Sequence, residues 1–148
     1  MSTYDLIVIG AGPAGYVSAV RASARGMKVL LVESRKLGGV CLNEGCIPSK
    51  TLLNSAKIYR YAMHSEAYGV RAAGVEFDLT KVMARKTQVM DTLRNGIAGL
   101  MKKSRIEVVV GTAKLHAERK VEINGQIYQA NNILISTGSS PAKPPIPG

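Results

Sequence analysis

A glycine-rich turn between an apolar strand and a helix constrains the fold of this chain more than any other feature. Residues 6–9 read L-I-V-I, a continuous apolar run typical of a strand buried on both faces of a parallel sheet. The turn G-A-G-P-A-G follows over residues 10–15, and a helical pattern extends over 14–25. A second apolar strand over 28–32 ends in Glu33. The order of these elements predicts a Rossmann-like βαβ unit.

The three glycines of this turn have separate mechanical roles in a dinucleotide site. Gly10 makes the tight turn, Gly12 lets a pyrophosphate approach the backbone, and Gly15 lets the helix and strand pack closely. The helix N-terminus would then face the phosphates, and Glu33 could accept hydrogen bonds from ribose hydroxyls. We predict dinucleotide binding; the alternative is a glycine-rich turn without a ligand.

Both cysteines lie in the segment G-G-V-C-L-N-E-G-C-I-P-S-K over residues 38–50. An ideal helix would hold Cys41 and Cys46 roughly 8 to 9 Å apart, whereas a disulfide needs Cα atoms about 4.4 to 6.8 Å apart. Pairing therefore requires a distorted helix, which Gly45 and Pro48 could provide. A disulfide closing so short a loop would stabilise the fold little and would be a reactive bond. The alternative is two buried, unpaired thiols, which the polar and glycine neighbours disfavour.

Composition limits the class of protein. A length of 148 residues suits one domain, and 46% hydrophobic with 20% charged residues is typical of a globular chain. No apolar run approaches the ~18 residues of a membrane span, and the N-terminal residues do not resemble a secretory or organelle leader. We therefore expect a cytoplasmic protein without a membrane partner, where a cysteine pair is more often catalytic or metal-binding than structural.

The net charge of +10 raises the question of nucleic-acid binding. Many of the basic residues lie between Lys81 and Arg105, on the polar side of a predicted helix and at its C-terminal turn. Phe77 is the only phenylalanine, tryptophan is absent, and no aromatic residues interleave with the basic ones. We expect a solvated face and no nucleic-acid partner. No pattern of metal ligands accompanies His64, so no metal site is predicted.

Two helices are predicted in the middle of the chain. The first covers residues 49–63, with the alternative that it begins near Cys41 and is broken around Pro48. Residues 64–76 lack a steady period and are predicted to be a loop.

The second helix begins after the N-cap Asp78 and ends at Lys103 or Ser104. Gly96 and Gly99 weaken it, so we expect them to mark close packing against another backbone. The expected buried stripe comprises Val82, Val89 or Met90, Leu93, Ile97, Leu100 and Met101.

The last part of the chain is rich in strands, predicted over residues 106–110, 112–118, 120–123, 126–129 and 132–136. Asn124-Gly125 is a strong hairpin signal, so several of these strands form an antiparallel meander. The predicted fold is α/β, with a Rossmann-like parallel sheet, flanking helices and a small antiparallel β-meander. Residues 1–140 form the predicted domain, and the proline-rich residues 141–148 form a linker toward a further domain.

A dinucleotide motif followed closely by C-x-x-x-x-C resembles the flavin-dependent pyridine nucleotide-disulfide oxidoreductases. Within that family, C-L-N-E-G-C-I-P-S-K over residues 41–50 is most similar to the members that oxidise dihydrolipoamide. Glutathione and mercuric reductases usually have Val-Asn after the first cysteine and Val-Pro after the second, and remain alternatives. The resemblance covers the whole chain but only the first part of a complete family member.

The resemblance implies bound FAD, with Lys50 near the flavin ring and Ala113 near the adenine. Residues 136–138, S-T-G, match a later Ala-Thr-Gly contact of the family but have serine at its first position. The implied cofactor-binding residues are Gly10, Gly12, Pro13, Ala14, Gly15, Glu33, Ser34, Gly39, Cys41, Lys50, Ala113, Ser136, Thr137 and Gly138.

The resemblance also implies a redox-active Cys41–Cys46 disulfide, in which Cys41 exchanges with the dithiol substrate and Cys46 faces the flavin. Lys50 and a nearby helix start are expected to favour the thiolate form. In the family, electrons pass from dihydrolipoamide, carried by a lipoyl domain of a 2-oxo acid dehydrogenase complex, to FAD and then to NAD.

Complete family members are homodimers with a second nucleotide motif for NAD and a His-Glu acid-base pair. This chain has neither feature, and His64 and His116 do not lie in the family's catalytic context. We therefore expect the chain to be the FAD-binding part of such an enzyme and not to complete the reaction alone. A module that binds FAD without redox turnover is the alternative.

Overall fold

The structure is a computed structural model that describes residues 2–140 and 142–146. Its strands and helices follow in the order β1 Ser2–Ile9, α1 Pro13–Ser23, β2 Val29–Glu33, α2 Gly39–Asn43, α3 Cys46–Met63, α4 Leu79–Lys103, β3 Glu107–Val110, β4 Ala113–His116, β5 Lys120–Ile123 and β6 Gln126–Ile135. A short 3-10 helix, Ser65–Tyr68, lies in the predicted loop between α3 and α4. The elements agree with the predicted α/β alternation.

One six-stranded sheet has the order β3-β2-β1-β6-β5-β4. Strand β1 pairs in parallel with β2 and β6, and β2 pairs in parallel with β3. Strands β4, β5 and β6 form the antiparallel meander. The predicted fold class is confirmed. Because β1, β2 and β6 run in the same direction, their carboxyl ends meet at one edge of the sheet, where α/β proteins bind ligands.

Strand β6 is longer than predicted. Residues 126–129 and 132–136 were expected to be separate strands, but Gln126–Ile135 is continuous. Exposed residues in and next to the predicted gap bond to β1: Asn131 Nδ2 donates to Asp5 Oδ1 at 3.3 Å, and Asn132 Nδ2 donates to the Asp5 carbonyl at 3.3 Å. The prediction of two strands was wrong because these side chains bond to the neighbouring strand.

The hydrophobic core covers both faces of the parallel strands. Ile7 and Leu30 lie in one cluster, while Val8 and Leu31 lie in the other, and all four are fully buried. Alternate residues of a strand point to opposite faces, so burial of both faces explains the uninterrupted apolar runs. The second cluster also contains Ala19 and Ala22 of α1, together with Met101 and Ile106.

The cysteine segment forms two helices, and the break between them differs from the prediction. Helix α2 ends at Asn43, and α3 begins at Cys46 after Gly45, whose φ and ψ are −125° and −106°. Pro48 does not break a helix. It lies in the first turn of α3, where N–H groups have no intrahelical acceptor, so the missing N–H of proline costs no hydrogen bond. The break therefore falls between the two cysteines.

Helices α3 and α4 pack against each other and form what we call the helical arm. Asp78 caps α4 as predicted, because its Oδ1 accepts a hydrogen bond from the Lys81 N–H at 3.0 Å. Gly96 and Gly99 do not mark close packing within the described residues: a Cβ at either position would meet no atom within 4 Å beyond the nearby backbone of α4 itself, so that prediction was wrong for this part of the chain.

The expected buried stripe of α4 is only partly formed. Met101 is buried beside the sheet, while Leu93 and Leu100 are exposed. Helix α4 touches α1 and β3 and otherwise lies against α2 and α3, so most of its length has one packed side. Within residues 2–140 and 142–146, no helix combines the length and apolar character required to cross a membrane. Pro141, Pro147 and Gly148 of the predicted linker lie outside the described residues.

Candidate functional site

A cleft of about 730 Å³ lies at the carboxyl ends of the parallel strands, within the size range of small-molecule sites. Among the predicted cofactor-binding residues, those that line it are Gly10, Gly12, Pro13, Ala14, Glu33, Ser34, Gly39, Cys41, Ser136, Thr137 and Gly138. The wall also contains residues that the sequence analysis did not identify: Arg35, Lys36, Val40, Asn43, Glu44, Met90, Arg94, Ser139 and Ser140. Gly15, Lys50 and Ala113 do not line the cleft.

The three glycines of the turn differ in their surroundings as the sequence suggested. A Cβ on Gly10, whose φ is +100°, would lie 2.3 Å from the Ser136 carbonyl oxygen, and one on Gly15 would lie 1.8 Å from the Gly10 carbonyl oxygen. A Cβ on Gly12 would meet only the Gly39 Cα, at 3.8 Å. Gly10 and Gly15 therefore permit internal packing, while Gly12 leaves the backbone open toward the cleft.

Helix α1 begins at this open backbone. Gly12 is its N-cap and supplies no side-chain hydrogen bond, and Pro13 opens the first turn. The first N–H groups of a helix lack intrahelical acceptors, and the helix dipole adds positive potential there. The N-terminus of α1 therefore suits a phosphate group.

Glu33 holds the glycine turn against the end of β2. Its Oε2 accepts a hydrogen bond from the Ala11 N–H, and its Oε1 accepts one from the Arg35 N–H, both at 2.8 Å. Carboxylate oxygens have further acceptor sites, so these bonds are compatible with the predicted ribose contact. The ribose contact itself stays a prediction, and the bond to the turn is a role that the sequence analysis missed.

Ser136 joins the end of β6 to the same turn. Its Oγ lies 3.0 Å from the carbonyl oxygens of both Ile9 and Gly10, and its N–H donates to the Ile9 carbonyl at 2.8 Å. Alanine, which the resembling family has at this position, could make none of the side-chain bonds. The serine therefore adds a direct link between the two strands that flank the cleft.

The two cysteines lie beside each other across the break between α2 and α3. Cys41 lines the cleft, Cys46 is exposed, and both are free cysteines in the structure. The side-chain hydrogen bond with Cys46 raises the pKa of the Cys41 thiol, and so do its lost hydration and the charge of Cys46. The backbone of Cys46 and the charge of Lys50 lower that pKa but are outweighed. Lys50 thus acts in the expected direction, while the pKa of Cys41 is raised overall.

Asn43 links the cysteine segment to helix α4. Its Nδ2 donates to the carbonyl oxygens of Leu37, at 3.0 Å, and Gly39, at 2.9 Å, and its Oδ1 accepts from Arg94 Nε at 3.1 Å. Arg94 Nη1 also lies 2.8 Å from Asp91 Oδ1. The sequence did not reveal this link, because it depends on how α4 packs; the only available signal was a polar residue between two cysteines.

Two predicted residues lie near the cleft without lining it. Lys50 follows Cys46 by about one turn of α3 and affects Cys41 through its charge. Ala113 begins β4 shortly after Gly111, whose N–H donates to the Glu33 carbonyl at 2.9 Å. Their contacts with a flavin ring and an adenine stay predictions.

A glycine turn at the ends of parallel strands, with two neighbouring cysteines beside it, is the arrangement of a nucleotide site next to a thiol pair. The chain belongs to the pyridine nucleotide-disulphide oxidoreductase family, whose sequence profile matches residues 4–148.

The particular relatives are more informative. Dihydrolipoyl dehydrogenase of Acholeplasma laidlawii is 44% identical over 146 residues, which are 98% of this chain and 44% of that protein. A dihydrolipoyl dehydrogenase of Bacillus subtilis is 45% identical over 95% of this chain and 32% of its own length. The HOCl-induced flavoprotein disulfide reductase RclA of Escherichia coli, solved as a Cu(II) complex, has a TM-score of 0.82 and 29% identity, covering all of this chain and 31% of that one. This chain therefore spans less than half the length of these relatives.

Proposed function

We propose that this chain is the FAD-binding portion of a dihydrolipoamide dehydrogenase. Residues 1–140 form the cofactor domain in this proposal, and residues 141–148 lead toward an NAD-binding domain. Support comes from the identity to dihydrolipoyl dehydrogenases and from the cleft at the ends of the parallel strands. The complete enzyme would be a cytoplasmic homodimer that acts on dihydrolipoamide attached to a lipoyl-carrier domain of a 2-oxo acid dehydrogenase complex.

The residues of the cleft suit FAD. The open backbone at Gly12 and the N-terminus of α1 would receive the diphosphate, and Glu33 would accept ribose hydroxyls. Lys50 would lie near the flavin and Ala113 near the adenine. When bound, FAD would supply the acceptor for two electrons destined for NAD.

The chain's own part in the reaction is a thiol–disulfide exchange. With Cys41 and Cys46 joined as a disulfide, a substrate thiolate attacks Cys41 and releases Cys46 as a thiolate; the second substrate thiol then attacks the mixed disulfide and releases Cys41. Dihydrolipoamide loses two electrons and two protons to become a cyclic disulfide, and the cysteine pair gains them. Cys46, in this proposal, is the thiol that faces the flavin.

The observation that carries this proposal is that Cys41 lines the same cleft as the glycine turn, with Cys46 just across the break between α2 and α3. A nucleotide site alone would not require a thiol in its wall. A thiol pair alone would not require the turn.

Absorption spectra of the full-length protein test the proposal. We expect a flavin spectrum that changes when dihydrolipoamide is added, and loss of lipoamide reductase activity in both Cys41→Ser and Cys46→Ser. With the flavin oxidised and the remaining cysteine as a free thiolate, Cys41→Ser should show the long-wavelength charge-transfer band of a thiolate against a flavin, whereas Cys46→Ser should lack it. Full activity in both variants would reject the redox proposal, and a band retained only in Cys46→Ser would reverse the two thiol roles.

A further inference from the structure

Arg94 is the most constrained basic side chain in the wall of the cleft. It extends from α4, and its side chain is 23% exposed. Nε is fixed by Asn43 Oδ1, and Nη1 lies against Asp91 Oδ1. Within the described residues, Nη2 has no protein acceptor. A guanidinium held in this way has N–H donors to spare and little rotamer freedom to lose when it binds a ligand.

The other basic side chains of the wall are less suited to hold an anion. Arg35 is paired with a carboxylate, as Arg94 is, but its side chain is 69% exposed, and Lys36 is also exposed. Residues 10–15 contain no basic residue, so this turn offers a phosphate only backbone N–H groups and the dipole of α1. Arg94 lines the same cleft as this turn and would supply the positive charge that the turn lacks.

We propose that Arg94 binds the diphosphate of the dinucleotide and that Asn43 orients it. The inference rests on the proposed FAD site. A diphosphate presents several negatively charged oxygens, and arginine can donate two parallel hydrogen bonds to such a group. Partial burial reduces screening by solvent, which strengthens the attraction. The anion would then be bound from the glycine turn on α1 and from α4, two elements far apart in the sequence.

The test compares ligand affinities of full-length apo-protein for FAD, ADP and adenosine. We expect Arg94→Gln to weaken FAD and ADP binding by about tenfold, the effect of losing one charge-assisted hydrogen bond. Adenosine, which lacks phosphates, should bind equally to both proteins. Arg94→Lys keeps the positive charge, so it should recover part of the lost nucleotide affinity and the weakening of that affinity by salt. Arg85→Gln is the matched control, because Arg85 is an exposed arginine on the same helix and outside the cleft wall.

The role of Asn43 is tested through the ratio of the ADP affinity to the adenosine affinity. A general loss of structure would weaken both affinities and leave this ratio unchanged. Asn43→Ala should lower this ratio in the wild-type background and leave it unchanged in Arg94→Gln. Circular dichroism and thermal unfolding of each variant verify that the fold is retained.

The outcomes separate this inference from the proposed function. An Arg94→Gln protein that matches Arg85→Gln in its ADP affinity would overturn the role of Arg94, as would equal losses for ADP and adenosine. Wild-type protein that binds ADP but not FAD would reject the FAD proposal, while the ADP titration would still decide the role of Arg94. Failure of wild-type protein to bind either nucleotide would overturn both.

Discussion

The sheet and the helical arm use apolar residues in opposite ways. In the sheet, Ile7 and Leu30 have no exposed surface, and every residue from Val29 to Val32 is buried. In the arm, α3 has no buried residue, and Leu53 is 69% exposed. Both regions are rich in apolar residues, as continuous runs in the strands and at helical spacing in the arm. The difference shows that the apolar pattern of a sequence identifies a strand or a helix, whereas burial of its side chains depends on which other elements of the fold pack against it.

The largest expected effect comes from a matched pair of leucine truncations. Leu30→Ala should lower the free energy of unfolding by about 2–5 kcal/mol, because it leaves a cavity between packed faces of the sheet. Leu53→Ala should change it by no more than about 0.5 kcal/mol, because the side chain is mostly in solvent. Urea unfolding followed by circular dichroism measures both. Equal losses would contradict the contrast between the two regions.

A matched pair of glycine substitutions should give effects of opposite sign. Gly15→Ala places a Cβ 1.8 Å from the Gly10 carbonyl and should destabilise the chain by about 1–3 kcal/mol through overpacking. In Gly96→Ala the new Cβ meets no atom within 4 Å beyond the nearby backbone of α4 in the described chain, and the substitution should stabilise the chain by about 0.5–1 kcal/mol, the difference in helix propensity. Thermal unfolding of both variants checks the signs. A destabilising Gly96→Ala would show that another surface packs on α4.

The sequence predicted the parts of the molecule that neighbouring residues determine. The hairpin at Asn124-Gly125 is one example: both residues have positive φ, 52° and 79°, as a type I′ turn requires. The βαβ unit is another, because the apolar strands, the glycine turn and helix α1 follow one another directly along the chain. These features needed no knowledge of the remaining chain.

Contacts between distant segments could not be predicted in the same way. Arg94 reaches the cleft only because α4 packs beside α2, and nothing in its own neighbourhood on the chain indicates an Asn43 partner 51 residues away. The predicted strands over 126–129 and 132–136 leave a gap at residues 130–131, yet Asn131 and Asn132 both bond to Asp5 of β1. In the first case the partner is supplied by the packing of two helices, and in the second by the pairing of β1 with β6.

A moderate effect is expected at the start of the arm, where α4 differs from α1 in its capping. Asp78 closes the N-terminus of α4 by accepting from the Lys81 N–H, whereas α1 has no side-chain cap. Asp78→Ala should cost about 1 kcal/mol of unfolding free energy. Asp78→Asn, which retains an acceptor, should restore most of it. Identical stabilities for the alanine and asparagine variants, measured by urea unfolding, would exclude a capping role.

The smallest expected change affects one thiol at the junction of the two regions. In the reduced protein, the hydrogen bond and charge of Cys46 raise the pKa of Cys41, while the Cys46 backbone and Lys50 lower it. Cys46→Ala removes the side-chain hydrogen bond and the charge, and it keeps the backbone at position 46 and Lys50, so the pKa of Cys41 should fall. Below that pKa, a larger fraction of Cys41 is then thiolate, and iodoacetamide should alkylate it faster. Adding Lys50→Met should slow alkylation again. Alkylation rates measured across pH, with mass spectrometry to locate the label, test the direction of both pKa changes. An alkylation profile that moves to higher pH in Cys46→Ala would show that Cys46 does not raise the pKa of Cys41.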